Sequence, residues 1–275
     1  MTSGQWEPYY EDDAVTIFHG DVEDLALEGF GGDFAAVVTS PPYNVGLDYD
    51  GDPQGDALDW AAYRDLTVTT ADLVCWALMP GGRAWVNTAV AVPHSPGQAG
   101  GRKRRVLLSA WWAAALAAGG LELVDQVAWT SLRGSGTAWG SWQSPASPNL
   151  RGDHEVITVA CRDHWERHPP AGMEPWRDTL GDWPGLCSTV WNVAPATAGR
   201  GVHPAPFPVE LARRCIRLST WPGEMVLDPF CGTGSTLVAA AQLGRRSVGI
   251  ERSEKYCELA ARRFAQGALD FGGAA

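Results

Sequence analysis

At 275 residues the chain is long enough to bury a full core as one large α/β domain. It has no run of about 18 apolar residues, and its start, Met1-Thr2-Ser3-Gly4-Gln5, lacks the basic and apolar stretches of a signal sequence, so a soluble, cytoplasmic protein is expected and no membrane partner. The net charge of −11 argues against nucleic acid until its distribution is seen: residues 1–82 carry −15, residues 83–162 carry +4 and residues 163–275 are neutral.

In chain order the pattern predicts strands over 14–18 and 35–39, a helix over 60–79 and a strand over 83–87. A Pro/Gly-rich stretch follows, and its basic run Arg102-Lys103-Arg104-Arg105 is suited to phosphate contact. Next come a helix over 106–118, strands over 123–129 and 156–160, a helix over 209–218, a strand over 225–227, a helix over 236–243, a strand over 247–250 and a helix over 254–264. Seven strands interleaved with helices imply an α/β fold, a sheet covered by helices on both faces. Cys75, Cys161, Cys187, Cys215, Cys231 and Cys257 are scattered with no C-x-x-C pair, which argues against a disulfide framework and against a metal site.

Two motifs follow predicted strands. After 35–39 comes Thr39-Ser40-Pro41-Pro42-Tyr43-Asn44, and after 225–227 comes Asp228-Pro229-Phe230-Cys231-Gly232-Thr233-Gly234-Ser235. Ligands of open α/β sheets bind at the carboxyl ends of strands, so both motifs stand where a site is expected. Gly232 and Gly234 let the backbone turn tightly against a ligand, and Ser235 or Thr236 could cap the following helix, whose free amides suit a carboxylate. Glu251 lies 23 residues beyond Asp228, one strand-helix-strand unit away, where a carboxylate can accept ribose hydroxyls. Asp21 ends the first strand as Glu251 ends the last. Nothing matches a Gly-Lys-Ser/Thr phosphate loop, which disfavours a nucleoside triphosphate.

Together the motifs, with His203-Pro204-Ala205-Pro206-Phe207-Pro208 and the segment 140–145, resemble the amino-methylating DNA methyltransferases, in the motif order of their β class. The resemblance covers most of the chain and leaves mainly 1–14, 89–105 and 163–188 unassigned. It implies a single catalytic domain over 1–275, a seven-stranded mixed sheet of the methyltransferase (Rossmann-like) type in permuted order, and S-adenosyl-L-methionine as cofactor. By resemblance, Asp228 and the loop Phe230, Cys231, Gly232, Thr233, Gly234 and Ser235 hold the methionine part, Glu251 the ribose and Asp21 the adenine amine. His203, Pro204 and Phe207 belong to the remaining cofactor motif.

An exocyclic amine is a poor nucleophile because its lone pair is delocalised into the ring. Acceptors on its hydrogens localise that pair and strengthen as charge develops, and Ser40 Oγ and the Pro41 carbonyl are the candidates. Pro41 and Pro42 stiffen the loop, and Tyr43 is placed to stack on a base flipped from the duplex. A carbon-5 cytosine methylase would need a Pro-Cys nucleophile, and the chain has none. By the same resemblance, serine at position 40 favours cytosine N4, since many adenine enzymes of the family have aspartate there. Adenine N6, an RNA or protein-amide methylase, and a non-catalytic DNA-binding relative stay open as alternatives. The partner expected is duplex DNA, met by loops near 89–106 and 131–190; a cognate restriction endonuclease and a homodimer are further partners left open. Base-edge candidates are Arg133, Gln143, Asn149 and Arg151, with Arg162, Arg167 and Arg177 beyond them. Trp139 or Trp142 could fill the place of the flipped base.

Overall fold

The computed structural model describes residues 7–24, 31–49, 56–94, 104–130, 144–146, 150, 152–173, 177–179, 181–196 and 207–265. In chain order its elements are β1 (Tyr10–Glu11), β2 (Val15–His19), β3 (Phe34–Thr39), α1 (Trp60–Ala77), β4 (Leu78–Ala89), β5 (Val92–Pro93), β6 (Arg105–Val106), α2 (Leu108–Ala118), β7 (Glu122–Thr130), β8 (His154–Cys161), α3 (Trp183–Leu186), β9 (Val190–Asn192), α4 (Val209–Arg217), β10 (Met225–Asp228), α5 (Ser235–Gln242), β11 (Arg246–Glu251) and α6 (Glu254–Ala265). Among the described residues the main sheet has nine strands in the order β1-β2-β11-β10-β3-β4-β8-β7-β9. The seven central ones are those the sequence predicts. The two extra strands are short edges of two and three residues, too brief to carry an alternating pattern.

From β2 to β4 the strands run parallel, and β8 is antiparallel to both β4 and β7. All six residues of β3 are buried, because helices cover both faces of this central strand. Its alternate side chains serve opposite cores. Val37 packs with Leu227, Val248 and, from α1 and α2, Leu73, Val74, Trp112 and Leu116. Ala36 and Val38 pack with Val226 and, from α4 and α5, Leu211, Ile216 and Ala239. Helix α1 begins at Asp59, whose side chain accepts from the amides of Ala61 and Ala62 at 2.9 Å. It stops at Ala77, two residues short of the predicted end, because Pro80, Gly81 and Gly82 follow and the chain passes straight into a longer β4.

The chain order reverses between β10 and β3. From β10 the sheet grows one way through β11 and β2, and from β3 it grows the other way through β4. The two sequence motifs therefore leave the carboxyl ends of neighbouring parallel strands, at the switch point where open sheets leave a crevice.

At the other end of these strands, the described residues between 162 and 179 form a strap. Arg83 donates to the Trp165 carbonyl at 2.9 Å and its guanidinium stands 4.1 Å from the centre of the Trp165 ring. Arg167 pairs with Glu224, which directly precedes β10, and Arg217 pairs with Asp178 at 2.6 Å. Arg162 donates to the Leu78 carbonyl at 2.5 Å. Arg162 and Arg167 are thus committed to the fold at the amino ends of β4 and β10, away from the crevice, and do not serve as base readers.

Candidate functional site

A cavity of about 910 Å³ opens at the switch point, lined by residues of both motifs. Its cofactor side is built from the loop after β10. Gly232 and Gly234 adopt φ of 51° and 79°, the left-handed region that glycine enters without penalty. A Cβ on Gly249 of the neighbouring β11 would stand 2.8 Å from Cys231 Sγ, so a bare backbone there lets the loop sit down on the sheet. The capping expectation is corrected: Gly234 is the N-cap of α5 and no side chain caps that end. Thr236 Oγ1 instead turns inward to the Val38 carbonyl at 3.4 Å. The first amides of α5 consequently have no side-chain cap, and Ser235 and Thr236 at that end of the helix line the cavity.

Asp21, Asp228 and Glu251 all line the cavity, as the strand order requires. Glu251 accepts from the Gly232 amide at 2.9 Å and from the Ser253 amide at 2.8 Å, which bridges the loop after β10 to the end of β11. Burial pushes its carboxyl up from the ordinary 4.5 to about 7, against the pull of those two amides. Asp228 accepts from Thr39 Oγ1 at 2.7 Å and from the Phe230 amide at 3.1 Å. Burial raises it from 3.8 to about 6. The Thr39 bond ties the last residue of β3, next to Ser40, directly to the cofactor loop.

On the target side, Ser40, Pro41, Pro42 and Tyr43 line the cavity. The Tyr63 hydroxyl of α1 donates to the Pro42 carbonyl at 2.8 Å, and Trp112 donates to the same hydroxyl at 3.0 Å, so the core of α1 and α2 sets the height of the proline turn. Asn44 then enters the left-handed region at φ 58°, which asparagine tolerates better than most residues. Asp56, buried to 1% exposure, accepts from the amides of Asn44 at 2.7 Å, Val45 at 3.1 Å and Leu47 at 2.9 Å. One carboxylate thus holds the chain as it leaves the motif.

The Tyr43 hydroxyl meets Ser40 Oγ at 3.1 Å and donates to Glu155 Oε2 at 2.6 Å. Asn87 Nδ2 donates to that hydroxyl at 2.8 Å and to Glu155 Oε2 at 2.6 Å. Burial first, then the Glu155 charge, holds the Tyr43 phenol well above its ordinary 10.0. Sequence reasoning missed Asn87, Glu155 and Asp56. It also missed Trp129, whose ring lines the cavity while its Nε1 donates to the Val193 carbonyl at 2.9 Å. A helpful signal was available for Asn87 alone, a polar residue at the carboxyl end of an apolar parallel strand.

Of the remaining expected residues, Phe207 lines the cavity. His203, Pro204, Arg102, Lys103, Arg133, Trp142, Gln143 and Arg151, with Trp139 and Asn149, lie outside the described residues. Arg104 and Arg105 are exposed at the loop end of the β5–β6 ribbon, where Arg105 pairs with Pro93 and the Arg104 carbonyl accepts from the His94 amide at 2.9 Å. Trp60, at the start of α1, anchors that ribbon by donating to the His94 carbonyl at 2.6 Å. Among the described residues no group of His, Cys, Asp and Glu side chains could hold a metal ion, and no helix is long and apolar enough to cross a membrane.

The acceptors and donors together suit a ligand that offers hydroxyl and amine hydrogens to carboxylates at one end and a carboxylate to helix amides at the other. Comparison with known proteins points the same way. The family model for DNA methylases matches residues 34–262. The chain is 28% identical to the type II methyltransferase M.ScaI of Streptomyces caespitosus, over 94% of this chain and 83% of that protein. It is 30% identical to M.SmaI of Serratia marcescens, over 90% and 89%. A Thermus thermophilus structure described as a DNA modification methylase, in complex with S-adenosyl-L-methionine, superposes with a TM-score of 0.70 at 28% identity, covering 91% of this chain and 94% of that one. The PvuII DNA methyltransferase, cytosine-N4-specific, shares the fold with a TM-score of 0.68 at 19% identity, over 94% and 88%.

Proposed function

The chain belongs to the DNA methylase family, and from that premise we propose that it is a type II modification enzyme that methylates the exocyclic N4 of cytosine in duplex DNA, with S-adenosyl-L-methionine as cofactor. The observation that carries this is the one cavity lined both by Ser40, after β3, and by Gly232, Thr233 and Ser235, after the neighbouring β10. Asp228 and the loop Phe230 to Ser235 would hold the methionine part, Glu251 the ribose and Asp21 the adenine amine. When bound, the cofactor supplies an electrophilic methyl group on a sulfonium. The chain's own part is to orient the target amine: Ser40 Oγ and the Pro41 carbonyl accept its hydrogens, and the Tyr43 ring takes the face of the flipped base.

Exposed Arg104 and Arg105 at the loop end of the β5–β6 ribbon support phosphate contact by that loop. A modification role would go with a cytoplasmic location and with a cognate restriction endonuclease as partner.

The preference for cytosine rests on Ser40, a short neutral acceptor where an aspartate would reach further with full charge. DNA methylated by the protein and digested to nucleosides is expected to contain N4-methylcytosine and little N6-methyladenine by mass spectrometry. A majority of N6-methyladenine would reverse the base assignment and leave amino transfer standing, whereas 5-methylcytosine would contradict direct attack itself.

The ribose contact predicts a pH dependence. The folded chain holds the Asp228 and Glu251 protons more tightly than the unfolded chain does, so these two groups withdraw stability as pH rises from about 4 to about 7. Cofactor binding needs the ionised Glu251 as acceptor and runs the opposite way. Affinity is expected to be about tenfold weaker at roughly pH 6 than at roughly pH 8, because a group titrating near 7 is about nine-tenths protonated at the lower value. Calorimetry on the protein and on Glu251→Gln checks this. An equal slope in the variant would remove Glu251 from the ribose contact.

A further inference from the structure

Tyr43, Asn87 and Glu155 come from three elements, the loop after β3, strand β4 and strand β8, and their polar atoms meet beside Ser40 on the cavity wall. The single phenolic proton of Tyr43 is committed to Glu155 Oε2 at 2.6 Å. In its contact with Ser40 the tyrosine oxygen is therefore the acceptor, and Ser40 is the donor. Asn87 enforces the arrangement. Its amide nitrogen donates to both the Tyr43 oxygen and Glu155 Oε2, and turned over it would set Oδ1 against a carboxylate. With its own proton aimed at Tyr43 and one lone pair met by Asn87 Nδ2 at 3.4 Å, Ser40 Oγ keeps a second lone pair for a hydrogen of the target amine.

We infer that Glu155 is the anionic end of a proton relay that runs from the target amine through Ser40 Oγ and the Tyr43 hydroxyl to Glu155 Oε2. This deepens the amino-transfer reading and rests on it. As the amine nitrogen forms its new bond to the methyl carbon, its lone pair is consumed and it carries one proton too many. That N–H bond breaks toward Ser40 Oγ, the Ser40 O–H bond breaks toward the Tyr43 oxygen, and the Tyr43 O–H bond breaks toward Glu155. The nitrogen keeps the electron pair, each hydroxyl gains one proton and loses one, and Glu155 ends as the neutral acid. Its side chain is partly exposed and returns the proton to water. The phenol, held well above its ordinary range, stays protonated and passes hydrogen on rather than resting as an anion. The relay also explains how a neutral serine suffices at position 40: the negative charge sits two hydroxyls away.

Glu155 acts through Tyr43 and Ser40, so it is a positioning residue, and its test must separate that from a structural role. Glu155→Gln keeps the size and the hydrogen bonds while removing the charge, and Tyr43→Phe keeps the ring while removing the hydroxyl. Each is expected to slow single-turnover transfer to DNA about a hundredfold, with calorimetric S-adenosyl-L-methionine affinity and DNA affinity within about twofold of the unsubstituted protein. The double variant should be no slower than the slower single, since both cut one chain. A Glu155→Gln rate within about twofold of the unsubstituted rate, a loss confined to DNA affinity, or additive single effects would each overturn the relay. If Glu155→Gln fails to fold by circular dichroism, Tyr43→Phe decides alone: an undiminished rate overturns the relay and a hundredfold loss with intact affinities supports it. Absence of methyl transfer to DNA by the unsubstituted protein would bring down the functional reading and the relay together, whereas transfer that ignores both substitutions brings down the relay only.

Discussion

Glu224→Ala is expected to lower the free energy of unfolding by about 3–5 kcal/mol, the cost of removing one member of a buried ion pair. The Arg167 and Glu224 side chains are 6% and 9% exposed. Glu224 also accepts from the Trp221 amide at 2.7 Å, and Arg167 donates to the Ser219 carbonyl at 2.7 Å while its guanidinium lies 4.8 Å from the centre of the Trp221 ring. With the carboxylate gone, the guanidinium stays buried among a carbonyl, the Met79 sulfur and a ring, with no counter-charge. Urea unfolding measures the effect, and Glu224→Gln separates charge from hydrogen bonding. A loss below about 1 kcal/mol in the alanine variant, the range of an exposed pair, would show that the strap is not anchored there. Cofactor affinity measured well below the unfolding transition should change little, because the pair stands at the amino end of β10 and the cavity at its carboxyl end.

Ser40→Ala is expected to lower single-turnover methyl transfer about a hundredfold, the scale of removing one preorganised hydrogen-bonding group from a charged transition state. Cofactor affinity should stay within about twofold, because the loop from Asp228 to Ser235 is held by Glu251, Thr39 and its own glycines and not by the Ser40 hydroxyl. Comparing single-turnover rates with calorimetric binding tests both halves. An unchanged rate would take Ser40 out of the chemistry, and a parallel fall in affinity would make it a structural residue.

By itself the sequence determined where the seven central strands lie, which loops carry chemistry, and which family the chain resembles. Apolar runs such as 35–39 and 225–227, and glycines at 232 and 234, act over a few residues, and local signals of that kind survive in a linear chain. The predicted seven-strand α/β sheet stands, with two brief edge strands added, and Ser40, Tyr43, Asp228 and Glu251 do meet in one cavity. Only the tertiary structure decided which residues support them. Tyr43 and Glu155 are 112 residues apart, and Glu155 reads as an ordinary half-exposed start of an apolar strand. Its place beside Asn87 follows from the antiparallel register, which pairs Asn87 with Ile157 and Ala89 with Glu155, so that Glu155 lies diagonal to Asn87 on the same face. Asp56 and Glu224 were equally silent, since an acidic residue looks the same in a linear chain whether it faces water or collects buried amides and a guanidinium. Partnership at such distances is set by strand order and register, long-range properties of the packed sheet that no short window of sequence encodes.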